Sequence, residues 1–303
     1  MQFQLVSKYI EKVKALRIFQ SGIPQKLIWL YGTYRFAQTI LPMVQSIAVH
    51  LLWKSNLQRQ YGNGWAIVTG GGDGLGKAYA IELAKMGYNI IIVGRTQDKL
   101  DQTKQQIQQE YNVQMETIQF DFDTTSESSY KELHQKLIRI GEIAILINNV
   151  GTFEMHPFEH EQKTSTLINV NVNACTYLSQ MLVPHMKQRS KKSLIVFVGS
   201  ETGERPHSGC AIQSSTKAYI GNLARSLAIE LSPKIDVRLV TPGLIATNLL
   251  DQNKDFVNFK TRLFVCTPTE VAQQSLRKVT IQTHIIGTWK HGLLQYLQNK
   301  QKN

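Results

Sequence analysis

The glycine-rich stretch from Thr69 to Ala80 contains residues that could hold a phosphate group. It reads TGGGDGLGKAYA and lies between a segment that predicts a strand and a segment that predicts a helix. Gly70, Gly74 and Gly76 would let the backbone turn tightly and approach a pyrophosphate at the helix N-terminus. The order of strand, glycines, helix and second strand makes the pattern specific for a dinucleotide. A plain loop between a strand and a helix is the alternative interpretation.

Arg95 follows the second predicted strand, at the place where dinucleotide-binding proteins distinguish between cofactors. Proteins that bind NAD place an acidic residue there, which binds the ribose 2′-hydroxyl. This chain has Gly94 followed by Arg95, and a guanidinium group suits a 2′-phosphate. We therefore predict NADP(H) as the cofactor. A solvent-facing arginine without a ligand is the alternative.

Short apolar segments alternate with amphipathic segments from Trp65 onwards. The apolar segments read WAIVTG, NIIIVGR, METIQFDF, IAILINNVG, KSLIVFVGS and DVRLVTPG. Strands of this apolar character, each followed by a helix, require a parallel sheet that is covered on both faces. We predict an α/β fold: a single Rossmann-type, doubly wound parallel sheet with helices on both faces, formed by residues 61–303.

Residues 1–60 differ from the rest of the chain and predict an amphipathic helical extension. Up to Lys54 the only acidic residue is Glu11, and residues 36–53 read FAQTILPMVQSIAVHLLW. That length approaches a membrane span, but the apolar residues fall on one side of a helix and the polar residues on the other. We expect the extension to lie on a membrane surface or to dock onto a larger membrane protein assembly; a spanning helix stays open as the alternative.

Composition and charge limit the classes of partner. Hydrophobic residues make up 42% of the chain and charged residues 18%, which is typical of a folding chain. The net charge of +12 favours an anionic partner such as a phosphorylated cofactor or an acidic membrane. No dense basic run interleaved with aromatic residues is present, so we predict no nucleic-acid partner.

Metal binding is not predicted. The three cysteines are widely spaced and contain no C-x-x-C pair, which argues against a zinc site or a disulfide framework. His156 and His160 have glutamates nearby, but Pro157 lies between them and breaks helical geometry. We interpret this segment as a solvated loop.

The motifs together resemble the short-chain dehydrogenase/reductase family. They are TGGGDGLG, NNVG at residues 148–151, Ser200 after the fifth strand, Lys217, and TPGLIAT at residues 241–247. The sequence is most similar to the membrane-associated branch of very-long-chain 3-oxoacyl-CoA reductases and 17β-hydroxysteroid dehydrogenases, from about Tyr61 to IIGTWKHGLLQYL near the C-terminus. This resemblance implies a location at the endoplasmic reticulum and a possible homodimer. The basic N-terminal segment leaves the mitochondrial inner membrane as the alternative location.

The resemblance also implies which residues would bind the cofactor. They are Thr69, Gly70, Gly74, Leu75 and Gly76 at the pyrophosphate, Arg95 at the 2′-phosphate, Asp121 at the adenine amino group, Asn149 and Gly151 at the adenine ribose side, and Lys217, Pro242, Gly243 and Thr247 at the nicotinamide end. The family's catalytic set of Asn, Ser, Tyr and Lys would fall on Asn171, Ser200, Gln213 and Lys217. The tyrosine position therefore holds a glutamine.

Gln213 changes the chemistry that the resemblance implies. In the family reaction a hydride goes to a carbonyl carbon while the tyrosine hydroxyl gives a proton to the oxygen. A glutamine amide has no proton to release near neutral pH, and loss of a positioned general acid costs on the order of 10²- to 10⁴-fold in rate. Tyr219 would lie on the far side of the helix from Lys217, which leaves His207 as a substitute donor.

Two functions of different classes follow from the sequence. The first is a catalytically impaired member of the family that binds NADP(H) and acts as an accessory or structural subunit at a membrane. The second is an active NADPH-dependent carbonyl reductase of 3-oxoacyl-CoA or steroid-like lipid substrates. Glu201 and Glu204 lie just after Ser200, and negative charge beside a fatty acyl thioester disfavours the second function.

Overall fold

The computed structural model describes residues 25–34, 36–37, 55–251 and 262–300 of the chain. The chain divides into two compact units, Met1–Leu52 and Trp53–Asn303. In the first unit residues 25–34 and 36–37 are helical. The predicted amphipathic segment 36–53 lies outside the described residues, apart from its first two positions.

The second unit is built on a seven-stranded sheet with the order β3-β2-β1-β4-β5-β6-β7. Every neighbouring pair in this sheet is parallel. The strands are β1 (Trp65–Thr69), β2 (Asn89–Gly94), β3 (Met115–Gln119), β4 (Ile143–Asn148), β5 (Ser193–Val198), β6 (Ile235–Val240) and β7 (His284–Ile285). The six predicted strands are confirmed. The two-residue strand β7 was not predicted, because so short a segment carries no periodicity.

Helices connect the strands in the order that a doubly wound fold requires. They are α1 (Leu57–Tyr61), α2 (Gly74–Lys85), α3 (Gln97–Glu110), α4 (Glu127–Ile140), α5 (Thr164–Ile168), α6 (Ala174–Lys187), α7 (Ala211–Glu230), α8 (Asn248–Asp251), α9 (Pro268–Lys278) and α10 (Trp289–Lys300). A π-helical turn, Asn169–Asn173, joins α5 to α6. A π turn inside a helix is frequently found at a functional site.

Side chains of β1 show how the sheet separates two apolar cores. Ala66 and Val68 belong to one buried cluster, together with residues of α2, α3 and α9. Trp65 and Ile67 belong to a second cluster, together with residues of α4, α6 and α7. Successive side chains of a strand point to opposite faces of the sheet, so the two clusters lie on opposite faces. Helices therefore cover both faces, as predicted.

The centre of the sheet fixes the place of the site. The strand order reverses between β1 and β4, which are neighbours although β2 and β3 separate them in sequence. In open α/β sheets of this kind, ligands bind in the crevice at the carboxyl ends of the strands where the order reverses. In this chain that crevice begins after Thr69 on one side and after Asn148 on the other.

Arg189 attaches the segment before β1 to the sheet. Its side chain is buried, and its guanidinium group donates to the backbone oxygens of Tyr61 at 2.9 Å, Asn63 at 2.8 Å and Lys192 at 3.0 Å. Its Nε also pairs with the exposed carboxylate of Glu142 at 3.2 Å. One buried side chain thus donates hydrogen bonds to three backbone carbonyls from two separate segments of the chain.

We expect the substitution Arg189→Met to lower the free energy of unfolding by about 3 kcal/mol, because it removes three hydrogen bonds to backbone carbonyls, one of them in the buried residue Tyr61. Urea unfolding followed by circular dichroism measures the loss. The control is Lys187→Met, which removes a charge from an exposed position two residues away. A loss below about 1 kcal/mol for Arg189→Met would contradict the role of this side chain.

Candidate active site

The glycine loop between β1 and α2 has the backbone geometry that its sequence predicts. Gly70 and Gly74 have φ angles of +66° and +52°, in the left-handed region that favours glycine. A Cβ atom at Gly76 would lie 2.1 Å from the backbone oxygen of Gly70 and 2.6 Å from Asn149 Nδ2. The loop therefore admits no side chain at Gly76 and leaves the N-terminus of α2 accessible to an anionic group.

Asp73 holds this loop in place, a role that was not predicted from the sequence. Its Oδ1 accepts a hydrogen bond from the Gly74 amide at 2.7 Å and caps α2. Its Oδ2 accepts from Lys99 Nζ at 2.7 Å and from Asn248 Nδ2 at 2.8 Å. The hydrogen bond from Lys99 is the main cause that lowers the pKa of this carboxyl group. An acidic residue directly before a predicted helix was the available signal.

Thr69 and Asn149 connect the ends of β1 and β4. Thr69 Oγ1 accepts from the amides of Asn149 at 2.9 Å and Val150 at 3.0 Å, and it donates to the Ile147 oxygen. Asn149 Nδ2 donates to the Thr69 backbone oxygen at 2.9 Å. Thr69 is thus buried with its hydrogen-bonding capacity in use, and it positions the loop after β4.

A cavity of about 420 Å³ opens at this point of the fold. Most residues that the sequence analysis assigned to the cofactor and to catalysis line it: Gly70, Gly74, Leu75, Gly76, Asn149, Gly151, Ser200, Gln213, Lys217, Pro242, Gly243 and Thr247. Thr69 and Asn171 lie behind this lining. The structure therefore brings together residues that are up to 177 positions apart in the sequence, from Gly70 to Thr247.

Arg95 and Asp121 do not line this cavity. Both side chains are exposed, and both line a second depression of about 590 Å³ beside Gln119, Glu132 and Lys136. Gln119 Nε2 donates to the backbone oxygen of Arg95 at 3.0 Å. The roles predicted for Arg95 at a 2′-phosphate and for Asp121 at an adenine stay predictions.

Asn171 lies in the π turn and is almost completely buried. Its Oδ1 accepts from the Thr152 amide at 2.9 Å. Its Nδ2 donates to the Thr152 backbone oxygen at 3.1 Å, to Gln213 Oε1 at 3.0 Å and to Thr216 Oγ1 at 3.1 Å. Asn171 therefore sets the orientation of the Gln213 side chain, which is itself 4% exposed and lines the cavity.

Ser200 is held by the residue two positions after it. Its Oγ accepts from the Thr202 amide at 3.2 Å and from Thr202 Oγ1 at 3.0 Å. Both contacts form where a 3₁₀ turn, Glu201–Gly203, follows β5. The short turn fixes the Ser200 hydroxyl at the cavity wall.

Lys217 reaches the cavity from α7. It is 9% exposed, and its Nζ donates to the Val198 backbone oxygen at 3.4 Å. Burial lowers the pKa of Lys217 to about 8. No salt bridge to this ammonium group is found within residues 55–251 and 262–300.

Glu201 places a carboxylate in the cavity lining, as the sequence analysis expected near Ser200. Its Oε1 pairs with Arg205 at 2.8 Å, and burial raises the pKa of its carboxyl group. Glu204 does not line the cavity and lies 3.7 Å from His284 Nε2.

The two residues considered as substitute proton donors lie in different places. His207 lines the cavity. Tyr219 is 41% exposed, contacts Thr176 Oγ1 at 3.1 Å and lies outside the cavity lining, as its helical position predicts. In the described ranges no group of three or more His, Cys, Asp or Glu side chains is arranged to hold a metal ion.

A family comparison decides the classification. A family model described as short chain dehydrogenase matches residues 64–258, which is more than half of the chain. This chain belongs to the short-chain dehydrogenase family. The resemblance predicted from the motifs is confirmed.

Relatives and a solved structure in this family give further detail. A very-long-chain 3-oxoacyl-CoA reductase of Caenorhabditis elegans is 38% identical over 207 residues, 66% of this chain and 65% of the relative's length. The 17-beta-hydroxysteroid dehydrogenase type 3 of Mus musculus is 31% identical over 241 residues, 78% of this chain and 75% of the relative.

The solved structure is a short-chain dehydrogenase from Sphingobium yanoikuyae in complex with NADPH. It matches with a TM-score of 0.66 and 26% identity, over 74% of this chain and 86% of that chain. The predicted cofactor class is confirmed: the chain belongs to a dehydrogenase family, and a neighbour of its fold was solved with NADPH. The close packing of Gly76 against the Gly70 backbone and the accessible N-terminus of α2 fit a pyrophosphate.

The low pKa of Lys217 gives a testable dependence of stability on pH. Its ordinary pKa is 10.5 and burial lowers it to about 8, so between these values the unfolded chain binds more protons than the folded chain. Stability must therefore rise with pH in this window, by up to about 1 kcal/mol per pH unit. Below pH 8 the Lys217 amino group is protonated in both the folded and the unfolded chain. The free-energy cost of burying its charge then lowers the stability in full.

We expect the unfolding free energy of the natural chain, relative to Lys217→Met, to increase between pH 8 and pH 10. Urea unfolding of both proteins at each pH measures this difference. Lys278 is also buried and has a pKa lowered to about 8, and the comparison cancels its contribution. If the difference in unfolding free energy between the two proteins does not change between pH 8 and pH 10, the lowered pKa of Lys217 is contradicted.

Proposed function

We propose that this chain binds NADP(H) at the glycine loop and does not complete carbonyl reduction, and that it acts as an accessory or structural subunit at a membrane. The observation that supports this proposal is the buried carboxamide of Gln213, whose oxygen is bonded to Asn171 at 3.0 Å. Bound NADPH would supply a hydride to a carbonyl carbon. The carbonyl oxygen must then gain a proton from the protein.

The residue at the family's proton-donor position can bind a carbonyl oxygen but cannot act as an acid, and the acid that remains in the cavity lining is the Lys217 ammonium group. Gln213 offers an amide N–H, which donates a hydrogen bond and does not release a proton near neutral pH. The Ser200 hydroxyl is likewise a hydrogen-bond donor rather than an acid in this range. The site would therefore orient a carbonyl compound while turnover stays low.

In the same proposal Gly70, Gly74, Leu75 and Gly76 would hold the pyrophosphate, because they line the cavity at the N-terminus of α2. Pro242, Gly243 and Thr247 would contact the nicotinamide end, and Arg95 the 2′-phosphate. Bound nucleotide then stabilises the folded chain by mass action, a role that needs no turnover.

An active NADPH-dependent reductase of 3-oxoacyl-CoA or steroid-like lipids is the second candidate. The names of the relatives favour it, and so does the position of His207 in the cavity lining. In this candidate Ser200 and Lys217, with water or His207, deliver the proton. We place it second because Gln213 occupies the position of the proton donor and the Glu201 carboxylate lines the cavity.

The helical residues 25–34 and 36–37 support the membrane part of the proposal. Its large apolar side chains are between 58% and 76% exposed: Leu27, Ile28, Trp29, Leu30, Tyr31, Tyr34 and Phe36. Trp and Tyr side chains favour the membrane–water interface, and the basic residues of this region favour acidic lipids. Among the described residues, no helix combines the length and the hydropathy needed to cross a membrane. By resemblance the membrane would be that of the endoplasmic reticulum.

We expect Gln213→Tyr to raise the rate of NADPH oxidation with a long-chain 3-oxoacyl-CoA by about 10²-fold or more, since it restores a general acid beside Lys217. NADPH affinity should stay within about threefold of the natural value, because the change lies outside the glycine loop. Steady-state kinetics and fluorescence titration measure the two quantities.

Gln213→Phe is the matched control, because it differs from Gln213→Tyr by a single hydroxyl group. This variant should bind NADPH and remain inactive. If the natural chain turns over at rates ordinary for enzymes, about 1 s⁻¹ or more, the second candidate replaces the first.

We expect the full chain to bind vesicles that contain phosphatidylserine, and Trp29→Glu with Leu30→Glu to reduce the bound fraction at least fivefold. Charged groups at these exposed positions would have to enter the interface. Vesicle flotation measures the bound fraction. Ile229→Glu is the control, since Ile229 is 82% exposed in the second unit. Equal binding by the double variant would exclude this helix as the contact.

A further inference from the structure

The segments that connect helices to strands carry opposite charge at the two ends of the sheet. Those that precede the strands, at their amino ends, are 62–64, 86–88, 111–114, 141–142, 188–192, 231–234 and 279–283. They hold four basic residues and one acidic residue: Arg189, Lys191, Lys192, Lys234 and Glu142. This end of the second unit, which we call the positive end, therefore has a formal charge of +3 in its connecting segments.

The opposite end, where the crevice opens, is negative. The segments that follow the strands are 70–73, 95–96, 120–126, 149–163, 199–210, 241–247 and 286–288. They hold three basic residues, Arg95, Lys163 and Arg205, and eight acidic residues: Asp73, Asp121, Asp123, Glu154, Glu159, Glu161, Glu201 and Glu204. The formal charge of these segments is −5. The charges of the connecting segments thus form a dipole across the sheet, which gives the two ends electrostatic potentials of opposite sign.

Three exposed lysines of the positive end are neighbours. The Ser193 amide donates to the Lys234 backbone oxygen at 3.1 Å, which brings Lys234 close to Lys192 in the adjoining segment. Lys191 precedes Lys192, and all three side chains are exposed. Lys192 pairs with Asp236 Oδ1 at 3.4 Å, whereas the described residues give Lys191 and Lys234 no salt bridge. We call these three residues the lysine surface; most of its charge is available to a partner.

The N-terminal extension joins the second unit beside the lysine surface. Gly62 directly follows α1, and a Cβ atom there would lie 3.1 Å from Lys191 Cγ. Within α1, Gln60 Nε2 donates to Asp236 Oδ2 at 2.6 Å, and the Tyr61 hydroxyl donates to the same oxygen at 3.1 Å. Because α1 is the first described helix of the second unit, the extension that precedes it is attached covalently to the positive end.

We propose that the lysine surface binds the headgroups of an acidic bilayer, so that the crevice at the carboxyl ends of the strands opens away from the membrane. The inference rests on the membrane part of the proposed function. Acidic lipids attract Lys and Arg side chains that lie close to the bilayer surface. Attraction of the positive end and repulsion of the negative end favour one orientation of the second unit. A crevice oriented in this way receives its ligands from the aqueous phase.

An acidic protein would match the same charges, but the attachment of the extension favours lipid. Electrostatic attraction between exposed charges is screened beyond about 8 Å at physiological ionic strength, so the lysines act only when they are near the bilayer surface. The extension exposes Trp29 and Tyr31, side chains that favour the membrane–water interface. Because the extension is attached to the positive end, its binding to the bilayer raises the concentration of the lysine surface near the headgroups.

The experiment measures which end of the second unit lies next to the lipid. Ser190 and Ser208 are exposed serines in connecting segments of the positive and the negative end. The natural cysteines are buried, so Ser190→Cys and Ser208→Cys allow a fluorophore to be attached to either end of the full chain. Vesicles of phosphatidylcholine and phosphatidylserine carry a nitroxide quencher on a lipid headgroup. We expect quenching of the label at position 190 to be at least about threefold stronger than at position 208.

Charge variants test whether the lysine surface causes this orientation. Replacing its three lysines together by glutamine should remove the difference in quenching between the two labels, because the positive end then loses its attraction to the headgroups. The control replaces three exposed lysines outside the positive end by glutamine, with the same loss of charge: Lys131, Lys136 and Lys163. The difference should persist in the control. Thermal melting verifies that each variant is folded.

Vesicle flotation of the same labelled chains separates the two ways in which the account could fail. If the chain binds the vesicles and the label at position 208 is quenched as strongly as the label at position 190 or more strongly, this inference alone is overturned. Bound chains with neither label quenched would also overturn it and would leave the lysine surface to an acidic protein, and so would a difference that survives in the lysine variant. A chain that does not bind the vesicles would contradict the membrane part of the proposed function, and this inference with it.

Discussion

The hydrogen-bond chain from the Thr152 amide through Asn171 to Gln213 is the constraint on which the chemistry of this site depends. It begins at a backbone N–H, which can only donate a hydrogen bond, and it ends at the Gln213 side chain in the cavity lining. Because Asn171 and Gln213 are buried, reversing either side-chain amide would leave unpaired polar groups at a cost of a few kcal/mol. The fold thereby determines which end of Gln213 a ligand meets.

The two ends of the site differ in how closely they match the chemistry of the family. At one end the glycine loop, the cap formed by Asp73 and the contact of Thr69 with Asn149 provide a backbone shaped for a pyrophosphate. At the other end Ser200 and Lys217 are in place, but the third position carries an amide rather than a phenol. In the function that we propose, this difference between the two ends separates cofactor binding from proton transfer.

Much of the fold and of the lining of the cavity was predictable from the sequence, because both depend on local patterns. Apolar runs predicted the six long strands, and the resemblance to the family assigned Ser200, Gln213 and Lys217 to the catalytic positions that line the cavity. Strand β7 was missed because two residues carry no pattern. The hydrogen-bond directions could not be predicted, since they depend on contacts between Thr152, Asn171 and Gln213.

A single-turnover measurement tests the central claim most directly. The full natural chain, holding one equivalent of NADPH, is mixed with excess long-chain 3-oxoacyl-CoA, and the reduced nicotinamide is followed by absorbance while the acyl product is identified by mass spectrometry. The account predicts that NADPH stays bound and reduced over many minutes, with no hydroxyacyl product. Rapid oxidation of the full equivalent, with one equivalent of hydroxyacyl-CoA formed, would contradict it.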